Sequence, residues 1–118
     1  MKNTKMLKKN YEFRKVLSKG KYYSGNKIEA FIQENNKEYN FLGLAISSKV
    51  ANAVTRNNIK RLIRENYKNI EDSLLIGYSF LIIINKKKNI KEISYKNIKE
   101  DFENILKKAG IINEKIIN

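Results

Sequence analysis

The first regular pattern along the chain is that of an amphipathic helix. Asn10 belongs to the residue types that favour a helix N-cap. Phe13, Val16 and Leu17 follow at the i, i+3, i+4 spacing of one helical face, and Gly20 comes where a helix would end. The pattern predicts a first helix between Asn10 and Gly20.

Two strands are predicted next. Residues Tyr22–Lys27 contain a Ser-Gly-Asn sequence and are interpreted as a loop, after which Ile28–Gln33 alternates between apolar and polar positions. A second strand, Phe41–Ser47, places leucine and isoleucine on one face and only glycine, alanine and serine on the other. Because Phe31 lies on the non-core face of the neighbouring strand, we expect a shallow groove there that no large side chain fills.

The second half of the chain predicts a helix, a strand and a last helix. Thr55 is a plausible N-cap for a helix that runs to about Asn69. Tyr78–Asn85 is apolar on both faces, as in a central strand that is covered on each side. Ser94 is expected to cap the last helix, whose apolar stripe ends at Gly110.

This order of elements predicts an α+β fold in one domain. The full length of 118 residues fits one compact domain, residues 1–118. The patterned positions place its core at about residues 5–110. Residues 111–118 are expected to be a frayed tail.

Charge is the strongest compositional signal. Lysine and arginine total 25 against 12 acidic residues, which gives a formal net charge of +13, and predicts a polyanionic partner such as nucleic acid. The absence of cysteine and histidine excludes thiolate nucleophiles, Ser-His triads and the usual zinc sites. Only four arginines occur, yet Arg56, Arg61 and Arg64 lie close together. Guanidinium groups bind phosphate in a bidentate fork.

No targeting or membrane segment is apparent in the sequence. The first nine residues are charged throughout and lack the apolar region of a signal peptide. The longest aliphatic or aromatic run, Phe80–Ile84, is far shorter than the roughly 20 residues that cross a bilayer. We therefore expect a cytoplasmic protein with no membrane partner.

The second predicted helix has two distinct faces. At about 100° per residue, Ile59, Leu62 and Ile63 share one side. The cations Lys60, Arg61, Arg64 and Lys68 occupy another arc together with Asn57, and Arg56 belongs to the first turn. Free backbone N–H groups at that turn also favour an anion. The functional interpretation is a helix that docks on a nucleic-acid backbone, and the alternative is an ordinary solvated face.

This helix and the residues before it resemble the signature of the bacterial ribonuclease P protein family. That signature runs Lys-x-Gly-Asn-Ala-Val-x-Arg-Asn-Arg-x-Lys-Arg, followed by a further Arg-Glu. Residues 49–61 here are Lys-Val-Ala-Asn-Ala-Val-Thr-Arg-Asn-Asn-Ile-Lys-Arg, and Arg64-Glu65 follows. The opening Leu-Lys-Lys-Asn-Tyr-Glu-Phe of residues 7–13 and the capped last helix also match. The resemblance covers about residues 5–110.

The resemblance implies a fold and an activity. The family folds as an α-β-β-β-α-β-α sandwich of the ribosomal protein S5 type, with a four-stranded sheet and a left-handed crossover. Its members assemble with a large catalytic RNA, which removes the 5′ leader of precursor tRNA by endonucleolytic hydrolysis with bound Mg²⁺. The protein would therefore be a subunit of a ribonucleoprotein enzyme, with its catalytic groups and its Mg²⁺ provided by the RNA.

The resemblance also implies two RNA-binding regions. The first would bind the catalytic RNA through Arg56, Asn57, Lys60, Arg61, Arg64, Lys68, Lys8 and Lys9. The second is a cleft for the single-stranded leader, formed by Phe13, Leu17, Phe31, Ser47 and Lys49. Aromatic rings that stack on bases and lysines that follow the backbone are typical of such clefts. For Phe13 an ordinary core position is the alternative.

Three residues depart from the family signature. Asn58 stands where the family has the second arginine, which removes one guanidinium. Ala51 replaces a glycine, and if the backbone there required a positive φ, alanine would cost on the order of 1 kcal/mol. Ser48 replaces a common lysine, a loss for which the basic stretch Lys86–Lys88 is a candidate compensation.

Two other functions fit the composition. A ribosomal or other structural RNA-binding protein would have the same charge and the same arginine helix, but no leader cleft. A metal-dependent nuclease would need acidic ligands, for which the candidates are Glu71-Asp72 and Glu100-Asp101-Glu103. The latter set has the i, i+4 spacing to lysines that is usual on a solvated helix.

Overall fold

Five strands form one mixed sheet in a computed structural model, which describes residues 2–112. The strands are β1 (Thr4–Met6), β2 (Lys21–Ser24), β3 (Glu29–Glu34), β4 (Asn40–Ile46) and β5 (Tyr78–Ile84). The helices are α1 (Asn10–Lys19), α2 (Ala53–Ile70) and α3 (Tyr95–Ala109), with 3₁₀ turns at Glu71–Ser73 and Lys87–Ile90. The strand order is β1-β4-β5-β3-β2, in which β4 is parallel to both of its neighbours and the other pairs are antiparallel.

The helices cover the two faces of the sheet unequally. On one face α2 and α3 bury the main core, in which Leu42, Ile82 and Ile98 are fully covered. On the other face α1 packs alone, around Val16 and Leu81. Because one ten-residue helix spans only about 15 Å, part of this second face stays open.

The α+β single-domain fold is confirmed, with two differences at the edges of the sheet. The sheet has five strands where four were predicted, because residues 4–6 add β1 before the first helix. The predicted loop at Tyr22–Lys27 is wrong in its first part, since Lys21–Ser24 pairs with β3. The predicted central strand is confirmed as β5, which lies between β4 and β3. The left-handed sense of the β4-α2-β5 crossover stays a prediction.

Strand β1 is held by the region around the end of α2. The Glu71 carboxylate accepts hydrogen bonds from the backbone N–H groups of Lys2 and Asn3 at 3.0 and 3.2 Å. Burial acts to raise the pKa of Glu71, but hydrogen bonds from Thr4, Lys2 and Asn3 outweigh it and lower the pKa. A three-residue strand has little stability of its own, so β1 depends on these contacts with a distant segment. For that reason the local sequence pattern did not reveal it.

The helix termini differ from prediction in position by a few residues. Asn52, rather than Thr55, caps α2, and its side-chain oxygen accepts the N–H of Thr55 at 2.9 Å. Lys9 holds the N-cap position of α1, with its N–H donated to Glu12 at 2.9 Å, whereas Asn10 is the first helical residue. The other predicted boundaries, Gly20, Ser94 and Gly110, are confirmed.

The start of the predicted frayed tail is ordered. Ile111 is buried, and Ile112 forms a β-bridge with Leu74, which closes the main core beside the end of α2. The expectation of fraying is therefore wrong for these two residues, because both are apolar and meet the core. Residues 113–118 lie outside the described residues.

A buried tyrosine is expected to make the fold less stable at alkaline pH. Burial raises the pKa of Tyr67 to about 12, and its hydroxyl is 2.7 Å from that of Thr4. Between pH 10 and 12 the unfolded chain ionises at this tyrosine while the folded chain does not. Tyr67 should therefore contribute a loss of about 2 kcal/mol in unfolding free energy by pH 12, and almost none below about pH 9.

The test compares Tyr67→Phe with the parent chain by urea unfolding from pH 9 to 12. The variant lacks the titrating group, so its unfolding free energy should decline less steeply, although the lost hydrogen bond lowers it by about 1 kcal/mol at every pH. All other titratable groups are the same in the two proteins, so their contributions cancel in the comparison. Parallel curves for the two proteins would contradict the expectation.

Candidate nucleic-acid interface

Helix α2 presents its cations away from the core. Ile59, Ile63 and Tyr67 are buried against the sheet and α3. The α2 face, as we call the residues of the predicted arc, comprises Asn57, Lys60, Arg61, Arg64 and Lys68, all of them exposed or half-buried. The structure therefore brings these five predicted residues together on one surface, which is suited to a polyphosphate backbone.

Arg61 is held in place by its own helix. Its guanidinium donates to Glu65 Oε1 at 2.7 Å and to the side-chain oxygen of Asn58 at 2.9 Å. The Arg61–Glu65 pair is about half exposed on both sides, so it contributes little to stability. Asn58 thus does not replace the missing arginine of the signature as a cation, but it does orient the arginine one turn later.

Arg56 has a different position from the other cations. It is half-buried, and its guanidinium donates a hydrogen bond to the Ala51 carbonyl at 2.7 Å. This contact ties the start of α2 to the turn that follows β4. Ala51 does not have a positive φ, so the alanine carries no backbone strain at the position where the signature has glycine.

Helix α1 leaves part of its face of the sheet uncovered, and we call this uncovered part the cleft. Register places Gly43, Leu81, Phe31 and Tyr22 in one row across four strands. The next row consists of Ala45, Ile83, Glu29 and Ser24. Gly43 and Leu81 are buried beneath α1, and the other residues of these two rows form the floor of the cleft. Its exposed residues include Ala45 and Tyr22, while Phe31 and Ile83 are half-buried.

Helix α1 forms one wall of this cleft. Phe13 is half-buried against the cluster of Leu7, Val16 and Leu81, and Leu17 is 45% exposed one turn later. A Cβ added to Gly43 would lie only 2.9 Å from Phe13 Cε1, so glycine permits this close approach. The expectation that no large side chain fills the groove is therefore wrong at Gly43, and Phe13 serves both the core and the cleft wall.

The Tyr22 ring has a defined position on the cleft floor. Its centroid is 5.2 Å from that of Phe31, and its hydroxyl donates a hydrogen bond to Glu29. That hydrogen bond, followed by partial burial, raises the pKa of Tyr22. Glu29 is 7% exposed, and its Oε1 has no hydrogen-bond partner among the described residues. Two aromatic rings are thus held side by side at the edge of the cleft.

Ser47 and Lys49 lie where β4 ends. The Ser47 N–H donates to the Ile84 carbonyl at 3.1 Å, which continues the pairing with β5. The Ser47 hydroxyl accepts the Lys49 N–H at 3.2 Å, so it shapes the turn. Lys49 itself is exposed, at the same end of the sheet as Ala45 and the start of α2.

The predicted RNA-binding residues do not form one surface. Lys8 and Lys9 are exposed at the start of α1, on the opposite side of the sheet from α2. The structure groups them with Lys5 and Phe41 at the β1 edge of the sheet. They therefore belong to a separate surface.

Sequence reasoning left some residues of the cleft unassigned. Glu29, Ala45 and Ile83 belong to the floor because register aligns them, and Tyr22 joins them because β2 pairs with β3. The alternation of β3 and β4 already put Glu29 and Ala45 on the groove side of their strands, although neither was assigned as a leader contact. Tyr22 was considered as a loop residue that could reach RNA, with an ordinary surface position as the alternative, but interpreting its strand as a loop gave no signal that it lies beside Phe31.

Two of the acidic residues considered as ligands for a nuclease metal, Asp101 and Glu71, hold backbone segments in place. Asp101 is 2% exposed and accepts backbone N–H groups from the loop at 26–28, while Glu71 anchors β1. Within residues 2–112, no group of three or more acidic, cysteine or histidine side chains is arranged to hold a metal ion. None of the described helices is long and apolar enough to cross a membrane.

Comparison with known proteins points to one family. Residues 1–110 match the family model described as Ribonuclease P. The chain is 42% identical over 108 residues to the ribonuclease P protein component of Clostridium botulinum (strain Loch Maree / Type A3), an alignment that covers 91% of this chain and 96% of that protein. It is 35% identical over 109 residues to the corresponding protein of Clostridioides difficile (strain 630), covering 92% and 94%.

Solved structures agree with this result. The RNase P protein of Staphylococcus aureus, determined at 2.0 Å, is 32% identical and has a TM-score of 0.76, with 92% of this chain and 97% of that chain covered. The Thermotoga maritima RNase P protein, at 23% identity and a TM-score of 0.77, covers 88% and 96% and shares the fold. The matched family model, the curated relatives and the five-stranded fold together show that this chain belongs to the bacterial ribonuclease P protein family.

Proposed function

We propose that this protein binds the catalytic RNA of ribonuclease P through the α2 face and holds the 5′ leader of precursor tRNA in the cleft beside α1. The observation that carries the proposal is the separation of these two surfaces. The α2 face lies on one side of the sheet, and the aromatic cleft lies on the other. A protein with two separate RNA-binding surfaces can bridge an RNA enzyme and its substrate.

The two surfaces bind RNA by different means. The α2 face offers the cations Lys60, Arg64 and Lys68 and the guanidinium of Arg61, which Asn58 and Glu65 orient, and these groups suit the phosphates of a folded RNA. The cleft offers the rings of Phe31 and Tyr22, on which unpaired bases stack at about 1–3 kcal/mol per base. Lys49 is exposed in the turn after β4, and its ammonium group would contact the phosphates of the leader.

The hydrolysis itself is assigned to the RNA. As the family resemblance implies, Mg²⁺ held by the catalytic RNA would supply the activated water. This chain would contribute affinity for the leader and would orient the precursor, so that the leader is removed at the mature 5′ end. The proposed location of this work is the cytoplasm, where the substrate would be precursor tRNA.

The decisive experiment is cleavage of a precursor tRNA by a bacterial catalytic RNA at low Mg²⁺, with and without this protein. We expect the protein to restore cleavage at the mature 5′ end, and the protein alone to cut nothing. RNA binding without restored cleavage would favour the structural RNA-binding protein instead. Cleavage by the protein alone would contradict both functions.

A second prediction tests the cleft. Phe31→Leu keeps an apolar side chain of similar bulk but removes the aromatic face, so precursor tRNA should bind the holoenzyme at least about fivefold more weakly. Mature tRNA, which has no leader, should bind unchanged. Tyr95→Leu, a half-buried aromatic on the other side of the sheet, is the matched control. Equal losses for precursor and mature tRNA would remove the case for Phe31 as a leader contact.

A further inference from the structure

A second concave surface lies on the flank of α1 that faces away from the cleft. It consists of two adjoining hollows of about 530 and 460 Å³, which share Glu12 and Phe41. Tyr11, Lys15 and Lys19 line it from the helix. The sheet and its β3–β4 turn close the other side. We call this continuous surface the α1 trough.

The α1 trough is strongly basic. Six lysines line it against two glutamates: Lys5, Lys8, Lys9, Lys15, Lys19 and Lys37 against Glu12 and Glu34. Both glutamates are engaged by the protein itself. Glu12 accepts the backbone N–H groups of Lys8 and Lys9, and Glu34 accepts the Tyr78 hydroxyl at 3.4 Å. The lysines therefore dominate the charge that a ligand would meet.

Aromatic side chains alternate with these lysines. Tyr11 is 61% exposed, with the Lys9 ammonium 5.9 Å from its ring centroid. Tyr39 forms the wall, with Lys5 Nζ 4.3 Å above its ring and Phe41 packed edge-on at 5.3 Å. An exposed ring among ammonium groups is not required by the core, since Tyr11 lies outside both apolar clusters.

We propose that the α1 trough is a second binding site for single-stranded RNA, separate from the proposed leader cleft. Its lysines would follow the phosphates, and Tyr11 would stack on an unpaired base. A duplex suits it less well, because paired bases are not available to stack on an exposed ring. The proposal places Lys8 and Lys9 in this site rather than beside the α2 face. It stands on the trough alone and does not depend on what the cleft binds.

The test measures binding of a fluorescent 12-nucleotide oligouridine by anisotropy between 50 and 200 mM salt. Lys15→Glu/Lys19→Glu should weaken binding about tenfold at the lower salt concentration. It should also reduce the magnitude of the salt slope by about 1.4, as expected for two lost phosphate contacts on a single strand. The matched control is Lys99→Glu/Lys108→Glu, which makes the same charge change on exposed positions of α3, one of them also in a last helical turn.

Two further measurements locate the site. Tyr11→Ala should weaken the oligouridine at least about fivefold and leave a 12-base-pair RNA duplex unaffected. With 4-thiouridine in the probe, photocrosslinks should map to the segments at 8–19 and 37–41, and should persist in Phe31→Leu. Thermal unfolding checks that each variant is folded. The proposal is overturned if the two double variants bind alike, if Tyr11→Ala weakens duplex and single strand equally, or if crosslinks map only to the cleft.

Discussion

Arg61→Glu/Arg64→Glu is expected to weaken binding to the catalytic ribonuclease P RNA by about a hundredfold at 0.1 M salt. When a phosphate contact is lost, the RNA releases fewer counterions on binding. Each such loss lowers the affinity nearly tenfold at this salt concentration and makes the salt slope shallower by about 0.9. The new carboxylates add repulsion from the RNA. Glu65 already lies beside Arg61, so the reversed face would carry three neighbouring acids.

The expected loss of affinity comes from weaker contacts with the RNA and not from a destabilised fold. Both arginines lie outside the buried side of α2, and the exposed Arg61–Glu65 pair contributes little to stability. Filter binding over a range of salt concentrations measures affinity and slope together. Lys99→Glu/Lys108→Glu is again the control, because it makes the same charge change on α3. Arg61→Lys/Arg64→Lys keeps the positive charge but removes the bidentate geometry of the guanidinium groups. Unchanged affinity and slope in the Glu variant would show that the α2 face does not bind the RNA.

The largest effect on stability is expected at Asp101. Its carboxylate accepts the backbone N–H groups of Asn26, Lys27 and Ile28 at 3.0, 2.6 and 3.0 Å. Gly25 fits against it, because a Cβ there would lie 2.7 Å from the Asp101 carboxyl carbon. One side chain on α3 therefore holds the whole loop between β2 and β3.

Asp101→Ala removes all three hydrogen bonds and should lower the unfolding free energy by about 4 kcal/mol. That is a large share of the roughly 5–15 kcal/mol typical of a domain. Urea unfolding measures the loss. Glu100→Ala, an exposed acid next to it on the same helix, should change stability by no more than about 0.5 kcal/mol. Equal effects of the two variants would show that the loop does not depend on Asp101.

Asp101 also shows where sequence reasoning reached its limit. In the sequence it belongs to Glu100-Asp101-Glu103, a set whose spacing is typical of a solvated helix face. The structure separates the three, since Asp101 points to the loop at 26–28 while Glu100 is exposed. Periodicity could not reveal this, because the partners are more than 70 positions away and offer backbone groups that any residue possesses.

The edge strands show the same limit for the fold. Strand β1 depends on Glu71 and Tyr67, and β2 depends on its pairing with β3. Neither segment has the long alternation that identifies a strand from its own residues. The central strand β5 was predictable because six of its seven residues are apolar and its two faces are largely buried.

The two proposed RNA-binding surfaces also differ in how far the sequence predicted them. The α2 face was readable from the sequence, because all of its residues lie on one helix and helical geometry alone brings them together. The cleft was predicted only in outline. Its floor is built from four strands, and the register between them decides that Tyr22 and Ile83 lie beside the Phe31 and Glu29 side of β3.

The sequence by itself determined the helical faces, the central strand, the basic charge and the signature at residues 49–65, since each depends on neighbouring positions or on composition. The tertiary structure decided the fifth strand, the position of Arg56, the anchoring by Asp101 and the placement of Lys8 and Lys9 in a trough apart from α2. These depend on contacts between distant segments, and a local pattern carries no information about which distant segment will be the partner.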